Sequence, residues 1–146
     1  MTSLYIIYWV KKMDRLVTEI FLEKPNFEEV SKIARTLEES GIKTILLPPE
    51  DRKINTHLVV ENDDLTKVKK ILDQAGVVYT EKEVMLIRMV NRPGTMAEAA
   101  RKISDKGINL TYAFSVTMND VYSLILLGSE DNKAALIALT EDKPKD

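Results

Sequence analysis

The sequence predicts an α+β fold made of two copies of one small unit, and three recurring landmarks support that prediction. The landmarks are the prolines Pro25 and Pro93 (93 − 25 = 68 residues apart), the glycines Gly41 and Gly107 (107 − 41 = 66 apart) and the strand residues Val59 and Leu126 (126 − 59 = 67 apart). Such near-constant spacing indicates an internal repeat. Each copy has apolar residues in the order strand, helix, strand, strand, helix. An antiparallel sheet with both helices on one face buries these patterns, as in a ferredoxin-like unit of βαββαβ type. We expect two such units side by side, over residues 1–76 and 77–146.

The first copy begins with the β-type run 17–22. Asn26 is expected to cap the following helix, which has acidic residues in its first turn and ends at Gly41. The residues predicted to face the core from this helix are Phe27, Val30, Ile33, Ala34 and Leu37. The remaining predicted elements are strands over 42–47 and 55–61 and a helix that opens at Asn62-Asp63-Asp64, stops at Gly76 and buries Leu65, Val68, Ile71, Leu72 and Ala75.

The second copy begins with the run 84–90. Thr95 and Glu98 form a capping-box pattern for the helix that follows. The residues that this helix is expected to bury are Met96, Ala99, Ala100 and Ile103. Apolar and polar residues alternate over 109–116, which indicates a half-buried strand. The copy is completed by a turn at Met118-Asn119-Asp120, a strand over 121–127 and a helix over 132–139.

A ferredoxin-like unit needs a fourth strand beside its first, and the tail after Leu139 is too charged to supply one. We therefore predict a permuted unit in which Leu4–Val10, rich in β-branched and aromatic residues, pairs antiparallel with Leu16–Leu22. Residues 76–80 stand in the same relation to the second copy. The alternative is that the fold starts at Met13 and that the residues before it are an extension.

Composition excludes several classes of function. The 21 basic and 23 acidic residues give a net charge of −2, which argues against a nucleic-acid binder. The absence of cysteine excludes disulfides, thiolate metal sites and cysteine nucleophiles, and the single histidine, His57, excludes a site with two imidazoles. The longest apolar run, Leu4–Val10, is too short to span a membrane and lacks the flanks of a signal peptide. No nucleophile, acid–base pair or phosphate loop is recognisable. We expect a cytoplasmic protein that is not an enzyme, with no catalytic residues, metal, cofactor, nucleic-acid partner or membrane contact.

The segment Asn91–Met96 has the most specific local pattern, because it joins a strand to a helix through Pro93-Gly94. Gly94 lets the backbone pass close to a ligand, and the start of a helix presents amide groups that an anion can bind. Asn91 adds both a donor and an acceptor. These residues predict a site for a small carboxylate. The alternative is an ordinary Pro-Gly turn before a capped helix, without any ligand.

The second copy resembles an ACT domain, a small ferredoxin-like module that binds amino acids and regulates the enzymes or regulators to which it belongs. The segments that show the resemblance are Val84–Val90, Asn91-Arg92-Pro93-Gly94, Lys106-Gly107-Ile108-Asn109 and Asp131–Leu139. The first copy resembles the family more weakly, through Lys24-Pro25 and Gly41-Ile42. The whole chain is similar to free-standing proteins made of two ACT units and no catalytic domain. The resemblance implies units that pair through strand edges and helices into an eight-stranded sheet, with ligands at the seam.

The resemblance also implies which residues bind a ligand. In serine-binding members, an Asn-Arg-Pro-Gly turn and an asparagine just after Gly-Ile hold the ligand, and Asn91 and Asn109 match these two positions. Met89 stands where such members have a histidine, which argues against serine because a thioether cannot replace an imidazole's hydrogen bonds. The implied ligand-binding residues are Asn91, Arg92, Pro93, Gly94, Thr95, Met96 and Asn109, with Glu23 and Lys24 of the first copy as contacts for charged groups.

The first copy departs from this pattern at the matching positions. It has Glu23, Asn26 and Lys43 where the second copy has Asn91, Gly94 and Asn109. We therefore expect the first copy to be a structural partner rather than an equal binding site.

Three classes of function remain open. The leading one is a regulatory module that binds an amino acid or similar small carboxylate and acts through a regulated enzyme or regulator, or through its own homodimer. The second is a structural or assembly protein without a ligand. The third is a small ferredoxin-like enzyme, which is disfavoured because no acid–base or nucleophile set can be named.

Overall fold

The computed structural model describes residue 9 and residues 14–47, 56–118 and 120–141. The elements are β1 (Arg15–Leu22), α1 (Phe27–Glu39), β2 (Thr44–Leu47), β3 (Thr56–Glu61), α2 (Leu65–Ala75), β4 (Tyr79–Val90), α3 (Thr95–Ser104), β5 (Leu110–Met118), β6 (Tyr122–Ser129) and α4 (Asn132–Thr140). A 3-10 turn, Asn62–Asp64, leads into α2. Both copies show the order strand, helix, strand, strand, helix, which confirms the predicted α+β repeat.

The described residues divide into two compact units that share two strands. β1 is divided after Leu16 and β4 after Lys82, so each of these strands gives residues to both units. The first unit holds residues 17–47 and 56–82, and the second holds the other described residues. Because β1 and β4 each count in both units, two four-stranded units are built from six strands within the described residues. The resemblance implied a sheet of eight separate strands.

In the first unit the strands lie in the order β2-β3-β1-β4, and β1 and β2 are both antiparallel to β3. Alternate residues of β1 and β3 face the helices, as in the pair Ile20 and Leu58. The buried core of this unit consists of Ile20, Leu22, Ile33, Leu37, Ile42, Leu58, Val60, Val68 and Leu72. Because α1 and α2 both contribute to this core, both helices lie on one face of the sheet, as predicted.

In the second unit the strands lie in the order β1-β4-β6-β5, and β4 and β5 are both antiparallel to β6. The buried core consists of Met85, Ile87, Met89, Ala99, Ile103, Leu127, Ala135 and Leu139, with residues from both α3 and α4. Leu16 packs against this core. The Arg88 backbone N donates a hydrogen bond of 2.8 Å to Asp14 Oδ1, so the residues around the start of β1 lie against β4.

The predicted N-terminal hairpin is wrong. β1 has β3 and β4 as its two neighbours, which leaves no edge for Leu4–Val10, and Trp9 in that segment has a helical backbone. The start of β4 takes the fourth-strand position of the first unit, where Glu23 N donates to Val78 O at 2.9 Å. The first residues of β1 take that position in the second unit. The rest of the predicted segment and the alternative start at Met13 lie outside the described residues.

The hairpin predicted at the start of the second copy is also wrong. A leading strand over 76–80 and a separate strand from Val84 were expected, whereas β4 runs for 12 residues without interruption. The linking residues, Glu81-Lys82-Glu83, include none of the glycine, proline, asparagine or aspartate that turns favour. The chain therefore stays extended through this segment.

The predicted buried faces of the helices are confirmed except at the ends of α1 and α2. Phe27, expected to face the core, is 82% exposed, and Ala75 in the last turn of α2 is also exposed. Burial increases along α1 from Phe27 through half-buried Val30 to buried Ile33. The first turn of α1 therefore stands clear of the core, which a helical periodicity alone does not reveal.

Candidate functional site

The turn that joins β4 to α3 spans Asn91–Gly94 and is fixed by backbone hydrogen bonds. Asn91 N donates to Val121 O at 2.7 Å, which ties the turn to the residue just before β6. Arg92 N donates to Val90 O at 3.0 Å, which folds the turn back onto the end of β4. Main-chain hydrogen bonds therefore help to set the course of the chain at this point.

Gly94 is the N-cap residue of α3 and has φ 89° and ψ −10°, a left-handed conformation that side-chain-bearing residues rarely adopt. A Cβ atom at Gly94 would meet no other atom within 4 Å, so the space above the turn is open. No side chain caps the first turn of α3, and the positive end of the helix dipole lies there. The turn thus presents backbone N–H donors to an anion such as a carboxylate.

The predicted capping box of Thr95 and Glu98 is wrong. Because Gly94 takes the N-cap position, Thr95 is the first residue of the helix. Its hydroxyl faces back and shares its one proton between the carbonyl oxygens of Arg92, at 2.7 Å, and Val90, at 2.9 Å. The Glu98 carboxylate lies 3.9 Å from Arg92 Nη2 instead of bonding to the cap. Thr95 and Glu98 therefore hold the turn and leave the first amides of α3 without a side-chain cap.

Apolar side chains surround this polar turn. Met89, at the position where the resemblance places a histidine in serine-binding proteins, is only 6% exposed, and Met96 packs against the same core. Val90 and Val121 are exposed next to the turn. Pro93 is exposed as well. The turn is therefore a set of main-chain donors bordered by aliphatic and thioether groups.

Asn109 lies at the other end of the second unit. Val90, next to the turn, pairs with Tyr122 at the start of β6, whereas Leu110, next to Asn109, pairs with Ser129 at its end. These two residues of β6 are seven steps apart (129 − 122), which corresponds to about 23 Å at roughly 3.3 Å per residue. The structure therefore does not bring Asn109 and the turn together within one unit.

Asn109 contacts Glu130 at that end. Its Nδ2 atom lies 3.3 Å from each oxygen of the Glu130 carboxylate. The main chain reinforces the contact, because Glu130 N donates to Asn109 O at 3.1 Å. The two residues are 21 positions apart, so no local pattern in the sequence indicates the pair.

The matching turn of the first unit is closed by its own side chain. Asn26 Oδ1 accepts a hydrogen bond of 2.8 Å from Glu29 N, and Asn26 Nδ2 donates to Glu29 Oε1 at 2.9 Å. The first turn of α1 is thus capped, as predicted, whereas that of α3 is not. The side chains of Glu23 and Lys24 are exposed beside this turn. The two turns therefore differ in whether a side chain caps the helix that follows.

His57 and Glu19 form a pair that sequence reasoning missed. Glu19 on β1 is only 6% exposed, and His57 Nδ1 shares a hydrogen bond with its Oε1. Phe21 packs edge-on against the imidazole, with ring centroids 4.9 Å apart. The signal was an acidic residue inside the apolar run of β1, but its partner lies 38 positions away. Within the described ranges, no group of three or more His, Cys, Asp or Glu side chains is placed to hold a metal ion.

An open groove of about 490 Å³ lies on the first unit. It is lined by Thr66, Lys69, Lys70, Asp73 and Gln74, all from α2. Lys69 Nζ lies 3.1 Å from Glu81 Oε2, and this hydrogen bond and charge raise the pKa of Lys69. Tyr79 OH donates to Asp73 Oδ1 at 3.1 Å, and partial burial followed by this hydrogen bond raises the pKa of Tyr79. These contacts fasten α2 to β4. They give the residues beside the groove a structural role.

Comparison with known proteins gives a consistent result. The family model described as an ACT domain pair matches residues 18–143. One similar solved structure is protein BT0572 from Bacteroides thetaiotaomicron, with 21% identity, 88% of each chain covered and a TM-score of 0.66. Another is the ligand-free regulatory subunit of aspartate kinase from Thermus thermophilus, with 16% identity, 90% of this chain and 97% of that chain covered and a TM-score of 0.60. A third is E. coli aspartokinase III in complex with lysine and aspartate, with 12% identity, 91% of this chain and 33% of that chain covered and a TM-score of 0.51. At these identities the structures show a shared fold. No curated protein sequence matches the chain.

Among the helices of the described residues, none is long and apolar enough to cross a membrane.

Proposed function

This chain belongs to the ACT domain pair family, and from that premise we propose that it is a regulatory amino-acid sensor with no catalytic activity of its own. The ligand is an amino acid or a similar small carboxylate, bound at the turn Asn91–Gly94 with help from Thr95, Met96 and Asn109. Glu23 and Lys24 of the first unit serve as contacts for its charged groups. The proposal includes a cytoplasmic location and action through a regulated enzyme or regulator, or through the protein's own dimer.

The single observation that most supports this function is the open, uncapped turn at Gly94. A carboxylate can approach the first amides of α3 because no Cβ atom and no capping side chain stands in the way. The corresponding amide of the first unit is occupied by Asn26. The same repeat therefore contains one turn suited to an anion and one that is not, as expected if a single copy has kept the binding role.

We propose that a second copy of the chain completes the site. β5 stands last in the strand order of the second unit, and within the described residues no strand pairs with its outer edge. The sequence of β5 contains no charged residue and no proline, two of the devices that protect an edge from pairing. Antiparallel pairing of β5 with β5 of another copy is self-complementary. It places Asn109 of one copy at the same end of the paired strands as the Gly94 turn of the other.

The similar solved structures support an amino-acid ligand and an enzyme target. Two of them are described as the regulatory subunit of aspartate kinase and as aspartokinase III with lysine and aspartate. Regulation by this module follows if the ligand binds one packing of the copies more tightly than another and so shifts the population toward it.

A melting experiment with each of the twenty amino acids tests the proposal. A ligand that binds only the folded state raises the free energy of unfolding by RT ln(1 + [L]/Kd), about 2.7 kcal/mol at 100 times Kd. If no amino acid raises the melting temperature, the sensor proposal fails. The structural or assembly protein then becomes the better conclusion, because Met89 replaces a histidine and the Asn109 amide is engaged by Glu130.

Gly94→Val is expected to abolish the shift produced by the best amino acid. The branched side chain would fill the space above the turn and obstruct the amides of α3. Gly76→Val is the matched control, because Gly76 has φ 71°, also has nothing within 4 Å of a Cβ atom, and ends α2 in the first unit. Both variants should lose roughly 1–2 kcal/mol of stability through the left-handed backbone. Only Gly94→Val should lose binding, and binding that survives in this variant would place the site elsewhere.

A further inference from the structure

We propose that Trp9 closes an apolar face of the second unit's sheet and thereby prevents a second copy of the chain from binding there. This face, called the helix-free face, consists of the side chains of β4 and β6 that point away from α3 and α4. The inference goes beyond the proposed function, because it assigns an interaction surface and does not involve the amino-acid site.

The two central strands of the second unit are apolar on both faces. Each contains four apolar residues in a row, Val84–Ile87 in β4 and Leu124–Leu127 in β6. Continuous runs of this kind are typical of strands that are buried on both sides, whereas a sheet with one face in water alternates apolar and polar residues. All of these residues except Ile125 are buried. The second unit therefore has apolar side chains to cover on both faces of its sheet.

The helices cover only one of these faces. Ile87 and Leu127 belong to the core that includes residues of α3 and α4. Their neighbours Leu86 and Leu126 are paired across the two strands and point to the opposite side, because successive residues of a strand alternate between its faces. The same alternation places four buried aliphatic residues on the helix-free face, namely Val84, Leu86, Leu124 and Leu126. Another part of the chain must cover them.

The contact between Trp9 and Arg15 places Trp9 on the helix-free face. Leu16 packs against the core that includes α3 and α4, so the side chain of the preceding Arg15 points to the other side of the sheet. The Arg15 guanidinium lies 5.1 Å from the centre of the Trp9 ring, in a cation–π contact. Trp9 is 0% exposed, so its large side chain is wholly covered by protein. We infer that it rests on the aliphatic side chains of β4, the strand next to β1.

The same face without Trp9 would be an interaction surface. Its aliphatic side chains lie on two neighbouring strands and form one apolar patch, and exposed patches of this kind mark sites of association. The occupant that fits the uncovered patch is the same patch of a second copy, because two identical apolar faces can pack together about a two-fold axis. Trp9 therefore decides whether copies of the chain can associate through this face.

The fluorescence of Trp9 tests whether the face is closed, because Trp9 is the one tryptophan of the sequence. Acrylamide should quench the folded wild-type chain about threefold less than the chain unfolded in urea, since a covered ring is out of reach of the quencher. Leu86→Ala leaves a cavity beneath the ring and should raise the quenching of the folded chain roughly twofold.

Ile87→Ala is the matched control for this measurement. Ile87 is the next residue of β4 and is also 1% exposed, but it lies in the core on the opposite face. Both variants should unfold at lower urea concentrations than wild type, and only Leu86→Ala should change the quenching of Trp9. Equal quenching of the folded and unfolded wild type, or a quenching in folded Leu86→Ala that matches Ile87→Ala, would show that Trp9 does not close this face.

Sedimentation velocity tests the association between copies. Trp9→Ala should uncover the face and give a species of about twice the wild-type mass at the same concentration. Adding Leu86→Glu to Trp9→Ala should restore the wild-type mass, because it brings like charges together between the facing copies. Circular dichroism verifies that both variants are folded. A folded Trp9→Ala chain of wild-type mass would overturn the proposed block to association, and the quenching experiment decides on the closed face without any change at Trp9.

Discussion

Lys24 has a backbone φ of 41°, the one positive value outside glycine among the described residues. A left-handed conformation costs a residue with a Cβ atom about 1–2 kcal/mol, and the following Pro25 restricts its backbone further. Lys24→Gly is therefore expected to raise the free energy of unfolding by about 0.5–1 kcal/mol, after the greater chain entropy of glycine is deducted. Urea unfolding measures the change.

Arg92→Gly is the matched control for this prediction. Arg92 holds the corresponding position before Pro93 but is not in the positive-φ region. Glycine relieves no strain there, so this variant should gain no stability. A loss of stability in Lys24→Gly would show that the Lys24 side chain contributes more to the first unit than its backbone conformation costs.

The roles of some single residues were predictable because they depend on neighbours in the sequence, whereas others depend on residues far along the chain. The glycine of a Pro-Gly turn was predicted to give the backbone freedom, and Gly94 has the positive φ that requires it. Asn26 was predicted to cap α1 from its position alone, and it does. Glu19 could not be interpreted in this way, because what makes its burial tolerable is His57 on another strand. Local chemistry predicts conformation well and long-range partners poorly.

Two polar contacts join α2 to the start of β4 in the first unit, and the raised pKa values of Tyr79 and Lys69 make stability depend on pH in the alkaline range. The pKa of Tyr79 is raised by burial and by its hydrogen bond to Asp73, so the folded state favours the neutral phenol. The stability due to this group is complete below the unfolded pKa of about 10 and is lost as pH rises through the folded pKa.

Tyr79→Phe tests this contact. The variant should be less stable than wild type by about 0.5–1 kcal/mol at pH 8. The difference should shrink as the pH rises above the unfolded pKa of about 10, because wild type alone loses the phenol's contribution. Urea unfolding of both proteins at each pH measures the difference in the free energy of unfolding. A difference that stays constant as the pH rises would contradict the assignment.

Elements with their own periodicity were predictable from the sequence, whereas the pairing of strands was not. The helical spacing that ends in Leu37 and the alternation along β5 both correspond to observed elements. Which segment becomes the fourth strand depends on which distant part of the chain reaches the open edge of β1. The spacing of apolar residues within a segment does not predict this. The uninterrupted β4 takes a position that had been assigned to Leu4–Val10. The sequence predicted two short strands where the structure has β4, one long strand with residues in both units.

At the scale of the whole molecule, the two copies of the repeat differ in the turn that precedes their first helix. One turn is capped by Asn26 and the other is open at Gly94, so a chain has one candidate carboxylate site rather than two. In the proposed arrangement that site is half complete in a single chain, because Asn109 lies at the far end of β6 from the turn. If pairing between copies completes it, assembly and ligand binding depend on each other.

Mixing two defective variants tests whether a site is shared between copies. In a heterodimer of Gly94→Val and Asn109→Ala, one site contains both changes and the other contains neither. Random co-refolding makes half of the dimers mixed, so about one quarter of the wild-type sites should return. Titration is carried out at amino-acid concentrations that saturate wild type but not Asn109→Ala. The control mixes Gly94→Val with a chain that has both substitutions, which can form no intact site. Sites built within one chain would give no recovery in either mixture, and the proposed pairing through β5 would then be wrong.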